Sequence, residues 1–294
     1  MSIRIWNRAK KQEEIELVYG AAGVNFLYST IIGFFLCDFL LTQVWISKLY
    51  GIYQSSWLSR KKVPRFIKKF QIPIEQFENK TYTSFNDFFI RHFKSGVRTF
   101  TQEPVQMPAF AEARYTAFAE ISETLYFPVK GKYLNIEKLL GDKEVALSFV
   151  NGPGFIARLC PVDYHRFHFP DDGQIKSHYT IHGKLHSVNP LALQQKPDIF
   201  LTNERQISIL ETKNFGLLAY IEVGALCVGH IVQSNPEKQN FQRGEEKGYF
   251  LFGGSTVIVL GQKGKWQPHT DLVEKTMQGQ ESLVLLGEAI AKSL

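Results

Sequence analysis

The pattern of apolar and polar residues divides the chain into two parts. Residues 17–53 are strongly apolar, whereas from about residue 104 short apolar runs alternate with glycine, proline, asparagine and aspartate. Such alternation is typical of an antiparallel β domain. The runs cover residues 146–150, 155–159, 199–201, 206–210 and 216–223. The sequence therefore predicts an α+β protein, with a helical, membrane-associating region over residues 1–100 and a mainly antiparallel β domain over residues 101–294.

Several shorter elements follow from local signals. The polar residues 1–16 predict an amphipathic helix, and residues 59–100 predict short helices. Ser84 or Thr83 is a candidate cap for one of these, because a hydroxyl can accept from the free amides of a first turn. Residues 136–140 predict another helix, which Gly141 would end.

The apolar residues 17–53 are long enough for a membrane span. However, Asn25, Asp38 and Gln43 interrupt them, and an aspartate in the middle of a span is costly. The segment is also too long, and lacks the small-residue cleavage site, for a signal peptide. A position in the plane of the membrane interface fits better, and a buried helix pair is the alternative.

Charge changes this picture, because the chain carries a net charge of +6 and a pI of about 9.0. Six basic residues, Arg60, Lys61, Lys62, Arg65, Lys68 and Lys69, directly follow the apolar segment. Apolar and basic residues in this order indicate an anionic lipid surface. No zinc-finger spacing or RNA-binding motif supports nucleic acid as the partner. The three cysteines have no metal-ligand spacing and are typical of reduced core residues.

The chemistry centres on residues 252–257, Phe-Gly-Gly-Ser-Thr-Val, between two apolar runs that predict strands. The glycine pair permits backbone conformations closed to other residues. The hydroxyl of Ser255 could thus approach the carbonyl carbon of Gly254, its own preceding peptide bond. A bulge or a hairpin corner is the alternative.

A second stretch, residues 163–170, places two histidines among aromatic and charged residues. In a regular strand His165 and His168 point to opposite faces, so the two predict different roles or a bend. The two histidines are candidates for general acid–base catalysis, and the alternative is that they have a structural role. His178, His182 and His186 recur every four residues, but Gly183 and strand-like alternation favour a turn over a helical zinc site.

Taken together, these motifs resemble the phosphatidylserine decarboxylase family. The resemblance covers about residues 60–290, and its most specific parts are the Asp-Tyr-His-Arg-x-His and Gly-Ser-Thr elements in this order. The matching segments are residues 84–91, 163–170, 185–190, 203–205, 223–229 and 246–257.

The resemblance implies a self-processing enzyme. Ser255 would attack the carbonyl of Gly254 and convert the peptide bond into an ester. Elimination would then cut the chain and leave a pyruvoyl group at the start of the fragment that begins at residue 255. In the family the second histidine, here His168, takes the serine proton and is oriented by an acidic residue.

The pyruvoyl ketone would form a Schiff base with phosphatidylserine and act as the electron sink for decarboxylation to phosphatidylethanolamine. His165 would reprotonate the product carbon. His186, Ser187 and Asn189 are candidate substrate-binding residues. No metal ion or external cofactor is implied.

The chain departs from the family at the acid of the triad. An aspartate is usual there, but no aspartate occurs between Asp87 and Asp142. An alignment on residues 115–118 gives its place to Glu112, whose carboxylate reaches about one carbon–carbon bond (~1.5 Å) further. Self-processing is therefore the step that this departure affects.

The expected partners are phosphatidylserine, an anionic membrane surface and the two fragments of the chain itself, with a homodimer as one option for assembly. The lack of a cleavable signal predicts the cytoplasmic face of a bacterial inner membrane. A non-catalytic, uncut lipid-binding relative is the main alternative, and a zinc hydrolase that uses the histidine run is another.

Overall fold

The secondary structure confirms the α+β class and the mainly antiparallel sheet. The structure is a computed structural model that describes residues 3–16, 20–122, 124–127, 132–196, 198–226, 230–253 and 255–294. The strands are β1 (Ile3–Asn7), β2 (Gln12–Glu16), β3 (Gln106–Pro108), β4 (Ala113–Ile121), β5 (Thr124–Phe127), β6 (Lys132–Asn135), β7 (Gly152–Leu159), β8 (Arg166–His168), β9 (Gly173–Ile181), β10 (Arg205–Thr212), β11 (Gly216–Val223), β12 (Ile231–Gln233), β13 (Asn240–Phe241), β14 (Glu246–Phe250), β15 (Ser255–Gly261), β16 (Trp266–Pro268), β17 (Glu281–Val284) and β18 (Ala289–Ser293).

The helices are mostly short. They are α1 (Ala21–Ser29), α2 (Ile31–Leu36), α3 (Val44–Ser55), α4 (Lys62–Phe70), α5 (Phe85–Phe89), α6 (Ile136–Leu140), α7 (Lys143–Leu147), α8 (Pro190–Gln195), α9 (Ile199–Thr202) and α10 (Thr270–Met277). A π-helical turn (Cys37–Leu41) and two 3-10 turns (Trp57–Lys61 and Ile74–Gln76) complete the set.

A ten-stranded sheet carries the β domain, in the order β13-β9-β10-β11-β15-β7-β4-β17-β1-β2. Strand β15 lies in its middle and runs antiparallel to both β11 and β7. Every residue of β15 is buried, which explains why its sequence is continuously apolar after Thr256 instead of alternating. Ser255 pairs with Leu159, the last residue of β7, so the start of β15 lies at one end of the sheet.

The prediction of a helix over residues 1–16 is wrong. β1 pairs with β17 in parallel and with β2 in antiparallel fashion, which adds two strands to the edge of the sheet. Glu16 at the end of β2 then meets Arg114 and Arg158, at 2.8 and 3.0 Å. These tertiary contacts override the weak helical pattern of a short polar segment.

Two runs predicted as strands are not extended. Asp142 accepts hydrogen bonds from the amides of Glu144 and Val145, and this cap starts α7 where residues 146–150 were expected to be extended. Residues 199–201 lie in α9, with Ile199 and Phe200 buried. The α6 helix, which ends at Gly141 in the left-handed conformation (φ 69°), and the Ser84 cap of α5 are confirmed.

The helical region joins the β domain through a cluster of aromatic rings. Phe252, just before the glycine pair, packs its ring 5.0 Å from those of Phe85 and Phe89. The amide of Phe252 also donates to Oδ1 of Asn86 at 2.8 Å. Helix α5 therefore fixes the chain on the amino-terminal side of Ser255.

Residues 21–53 of the apolar segment form short helices whose outer side chains are exposed. None of the described helices alone is long and apolar enough to cross a bilayer. The run Ile31–Leu41 together with α3 meets that test only as a broken pair bent by 81°. The most exposed large apolar side chains in this region belong to Ile31, Ile32, Phe39 and Ile52.

Candidate active site

The candidate site forms where β7 and β11 end and β15 begins. Ser255 is fully buried and Thr256 pairs with Val223, the last residue of β11. Gly253 has φ 146°, a conformation that favours glycine. Gly254, the other half of the predicted cleavage site, lies outside the described residues.

His165 is the histidine that contacts the serine. Its Nδ1 atom lies 3.4 Å from Oγ of Ser255, and its Nε2 lies 2.8 Å from the carbonyl oxygen of Cys160. A carbonyl oxygen only accepts, so Nε2 carries the proton and Nδ1 presents its lone pair to the serine hydroxyl. Burial, followed by the nearby charges of Arg91 and Arg114, holds the pKa of His165 well below its usual range. The ring is therefore neutral near pH 7.

Packing and a tight turn hold His165 in place. Its ring stacks on Phe89 of α5, with centroids 3.8 Å apart and planes 21° from parallel. The turn that presents the Cys160 carbonyl is closed by Asp163, whose Oδ2 accepts the Cys160 amide at 2.6 Å. Arg114 pairs with the same Asp163 carboxylate. Asp163 thus orients the partner of His165 and not a histidine nitrogen itself.

His168 occupies a separate environment, as the spacing of the two histidines predicts. Its Nδ1 donates to the carbonyl oxygen of Gly244 at 3.0 Å, while Nε2 is buried and has no hydrogen-bond partner among the described residues. Burial lowers the pKa of His168 to about 4. Its neighbours are the rings of Phe100 and Tyr164. The described contacts of Ser255 include His165 but not His168, contrary to the expected arrangement.

Glu112 does not supply the triad geometry expected from the alignment. Its carboxylate binds the guanidinium of Arg98 through two hydrogen bonds, at 2.6 and 2.9 Å, and also accepts the Leu286 amide at 3.3 Å. The backbone near Glu112 does contact His168, because the carbonyl oxygen of Phe110 accepts a hydrogen bond from the backbone amide of His168 at 2.8 Å. The described contacts therefore do not link Glu112, His168 and Ser255 in a chain, and the catalytic roles of the three stay predictions. The carbonyls of Cys160 and Gly244 orient the two rings.

The three candidate substrate-binding residues lie in one loop. His186 is buried, with its Nε2 3.3 Å from Oδ1 of Asp38. The amide of Ser187 donates to the hydroxyl of Tyr28 at 2.9 Å, and Oδ1 of Asn189 caps α8 by accepting the Leu191 amide. A role in substrate binding stays a prediction for all three.

The histidine run does not converge on a metal. His178 lies in β9 and hydrogen-bonds Ser208, whereas the side chain of His182 is 86% exposed. In the part of the chain that the structure describes, no group of three or more histidine, cysteine, aspartate and glutamate residues could hold a metal ion.

Comparison with known proteins gives a consistent result over the whole chain. A sequence profile of the family described as phosphatidylserine decarboxylase matches residues 85–292. A protein of Clostridium novyi, named phosphatidylserine decarboxylase proenzyme, is 39% identical over 99% of this chain and 100% of its own length. Proteins of the same name from Clostridium kluyveri and Ruminiclostridium cellulolyticum are 39% and 38% identical, over 98% and 99% of this chain and 98% of their own lengths.

Proposed function

The chain belongs to the phosphatidylserine decarboxylase family, and we propose that it is a proenzyme which cuts itself before Ser255 and then converts phosphatidylserine to phosphatidylethanolamine. The observation that carries the proposal is the buried pair of Ser255 and His165 at the start of β15. This pair places a histidine that can transfer protons next to the residue that becomes the new amino terminus.

Self-cleavage begins with attack of Ser255 Oγ on the preceding carbonyl carbon, which turns the peptide bond into an ester. Elimination then leaves a carboxylate on residue 254, and water releases the nitrogen of residue 255 as ammonia. The new amino terminus is a pyruvoyl group, whose adjacent carbonyls supply the electron-withdrawing capacity that loss of carbon dioxide requires. The residues present fit this group, because Ser255 is enclosed and follows two glycines.

The two histidines divide the proton transfers. Nε2 of His168 carries a free lone pair, because Nδ1 donates to Gly244, and we assign to it the proton of Ser255. This step requires residues 253–255 of the uncut chain to approach His168, and glycine gives that backbone the freedom to do so. The Gly244 carbonyl takes over the orienting role that an acid has in a triad.

His165 is better suited to return a proton than to take one. The neutral ring has no proton on Nδ1, so Nδ1 first takes one, which the ammonium group of phosphatidylserine can supply. Burial and the charges of Arg91 and Arg114 disfavour the resulting cation, so it gives the proton up readily. Its Nδ1 already lies 3.4 Å from the residue that becomes the reactive amino terminus. We therefore assign to His165 the protonation of the product carbon.

A lipid surface is the proposed location of the reaction. The outer faces of α2 and α3 expose large apolar side chains, among them Ile32, Phe35, Trp45 and Ile52. The basic residues of the 3-10 turn Trp57–Lys61 and of α4 follow directly. Apolar side chains beside lysines and arginines match a bilayer that contains anionic lipid, and phosphatidylserine is itself such a lipid.

One observation favours the uncut relative as a second candidate. Arg98 holds the carboxylate of Glu112, and His168 has no acidic hydrogen-bond partner among the described residues. Purified full-length protein, incubated with vesicles that contain phosphatidylserine, separates the two candidates. The proposal predicts formation of phosphatidylethanolamine, blocked by a carbonyl reagent such as hydroxylamine. Uncut protein that binds the vesicles but forms no product would support the second candidate.

A further inference from the structure

The first part of the apolar region has two unlike faces. We call residues 20–43 the apolar arm. Its inner side chains include Tyr28, Cys37 and Thr42, which are 4%, 1% and 0% exposed. Its outer face exposes Ile31, Ile32, Phe35, Leu36, Phe39 and Leu40. The arm is therefore bound to the rest of the protein on one side only.

The inner face of the arm makes polar contacts with one loop of the β domain, residues 184–189, which we call the site loop, and α1 also packs against the adjacent helix α8. Asp38 forms an ion pair with Lys184 and lies beside His186, whose ring is neutral near pH 7 because burial lowers its pKa to about 4. Oδ2 of Asp38 lies 2.9 Å from Nζ of Lys184, and its Oδ1 lies 3.3 Å from Nε2 of His186. The Lys184 ammonium also reaches the backbone oxygen of Asp38 at 3.3 Å.

Backbone groups complete the attachment. The amide of Leu185 donates to the carbonyl oxygen of Thr42 at 2.9 Å. The amide of Ser187 donates to the hydroxyl of Tyr28, also at 2.9 Å. The arm thus hydrogen-bonds Lys184, Leu185 and Ser187, and it contacts His186 between them.

The other side of the site loop reaches the rim of the candidate active site. The carbonyl oxygen of His186 accepts from the amide of Leu226 and from Nδ2 of Asn203, at 3.2 and 2.8 Å. Nδ2 of Asn203 also donates to the carbonyl oxygen of Gly224 at 2.8 Å. Gly224 follows Val223, the partner of Thr256 beside Ser255. The loop therefore lies between the arm and the strand ends that form the site.

The contribution of Asp38 to the stability of the fold does not explain why a carboxylate lies in this apolar segment. The Asp38 and Lys184 side chains are 23% and 43% exposed, and an ion pair this accessible adds little to stability. A carboxylate within an apolar segment that contacts lipid is a disadvantage by itself. A function in holding the site loop accounts for a charge at this position.

We propose that Asp38 is a positioning residue that couples the apolar arm to the site loop, so that seating of the arm in a bilayer fixes the loop for the head group of phosphatidylserine. This inference rests on the proposed function at a lipid surface. It concerns how the site loop is held, whereas the cutting chemistry at Ser255 is independent of it.

The test measures hydrogen–deuterium exchange of residues 184–189 in the full-length protein. The vesicles contain phosphatidylcholine and phosphatidylglycerol but no substrate. For the wild-type protein we expect vesicles to slow exchange of the loop by roughly fivefold or more, the usual lower range of coupling between sites. Asp38→Asn should bind vesicles as the wild type does, yet its loop should exchange at the vesicle-free rate.

Matched variants make the result specific. Lys184→Met keeps the aliphatic chain, removes the ammonium and should behave like Asp38→Asn, while Asp38→Glu should recover most of the protection. Glu211→Gln is the control, because Glu211 is an exposed carboxylate paired with Lys176 elsewhere on the sheet. It should match the wild type. With substrate in the vesicles, Asp38→Asn should raise KM more than it lowers kcat, and its self-cleavage should be unchanged.

Full loop protection in Asp38→Asn would overturn the coupling. Loss of vesicle binding in both Asp38→Asn and Lys184→Met would overturn it as well, since the pair would then be needed to fold the arm. Wild-type protein that binds vesicles without any change in the loop contradicts this inference alone. Wild-type protein that binds no vesicles contradicts the proposed lipid surface itself.

Discussion

The Nδ1 atom of His165 lies 3.4 Å from the Oγ atom of Ser255, and both side chains are fully buried. Three elements distant in sequence produce this contact. The end of β7 supplies the Cys160 carbonyl, α5 supplies Phe89, and the register of β15 fixes Ser255 opposite Leu159. The reactive residue and its proton donor are thus held in place by the framework of the fold.

The two histidines should differ in phenotype. His168→Ala should remain uncut, because it removes the base for Ser255. His165→Ala should be cut but should decarboxylate roughly 10²–10⁴-fold more slowly, the usual contribution of a positioned proton donor. Gel analysis of freshly translated protein and product assays measure the two effects. The reverse pattern, an uncut His165→Ala and a cut His168→Ala, would assign the serine proton to His165.

Glu112 should matter for stability and not for cutting. Its carboxylate binds Arg98, and both side chains are 14% exposed. Glu112→Gln should therefore lower the free energy of unfolding by about 1.5–3 kcal/mol, the range for hydrogen bonds to charged groups. Arg98→Met should have a similar effect, and both variants should be cut at the wild-type rate. Slow cutting in Glu112→Gln alone would return Glu112 to the role of triad acid.

The sequence predicts the framework better than the contacts of the site. The sequence predicts strand β15 because a fully buried strand is a continuous apolar run. It predicts the end of α6 because glycine is the residue that most readily takes the left-handed conformation found at Gly141. The prediction of a strand over residues 146–150 is wrong because Asp142, which lies before this run, caps helix α7. The backbone carbonyls of Cys160 and Gly244 orient the two histidines. Every residue has such a carbonyl, so the sequence does not indicate which one a histidine will contact.

The contacts of Glu112 could not be predicted from the sequence for a different reason. Alignment assigns a residue to a position along the chain but does not identify its neighbours in space. Arg98 is 14 residues away in sequence, and only the fold brings its guanidinium to the Glu112 carboxylate. The strands at residues 3–16 escaped prediction for the same reason, since their partner β17 lies near the carboxyl terminus.

Acid should destabilise the protein partly through Glu16. Burial would raise its pKa, but Arg158 and Arg114 lower it from 4.5 to about 2. A carboxyl whose pKa is lower in the folded state contributes stability above its unfolded value, and this contribution is lost as the pH falls from about 4.5 to 2. The full contribution is roughly 3 kcal/mol, at 1.36 kcal/mol for each pKa unit.

Glu16→Gln provides the corresponding measurement. In an uncut Ser255→Ala background, urea unfolding should show the variant clearly less stable than its parent at pH 7. The gap should narrow as the pH falls below about 4.5. A gap that stays constant down to pH 3 would show that the charge of Glu16 contributes no net stability.

Lipid binding should depend on the exposed basic residues of the 3-10 turn and α4. Lys61, Arg65, Lys68 and Lys69 are exposed, whereas Lys62 lies over the ring of Tyr53 at 4.3 Å and is better left intact. Reversal of these four charges to glutamate should weaken binding to anionic vesicles by roughly 4 kcal/mol or more, at about 1 kcal/mol for each basic residue lost.

The control for this prediction reverses four exposed lysines of the β domain. Lys213, Lys263, Lys265 and Lys292 serve this purpose, and their reversal to glutamate changes the net charge by the same amount. Binding is measured by vesicle sedimentation at several salt concentrations. Equal loss in both variants would indicate a general effect of net charge, and binding that ignores both salt and charge would indicate insertion across the membrane.

The intact mass of purified protein tests the central claim most directly. The account predicts two fragments, residues 1–254 and 255–294, the smaller carrying a pyruvoyl group in place of serine and blocked to amine-reactive reagents. Ser255→Ala should remain one chain and form no phosphatidylethanolamine. A single full-length mass for active wild-type protein, or an active and uncut Ser255→Ala protein, would contradict the account.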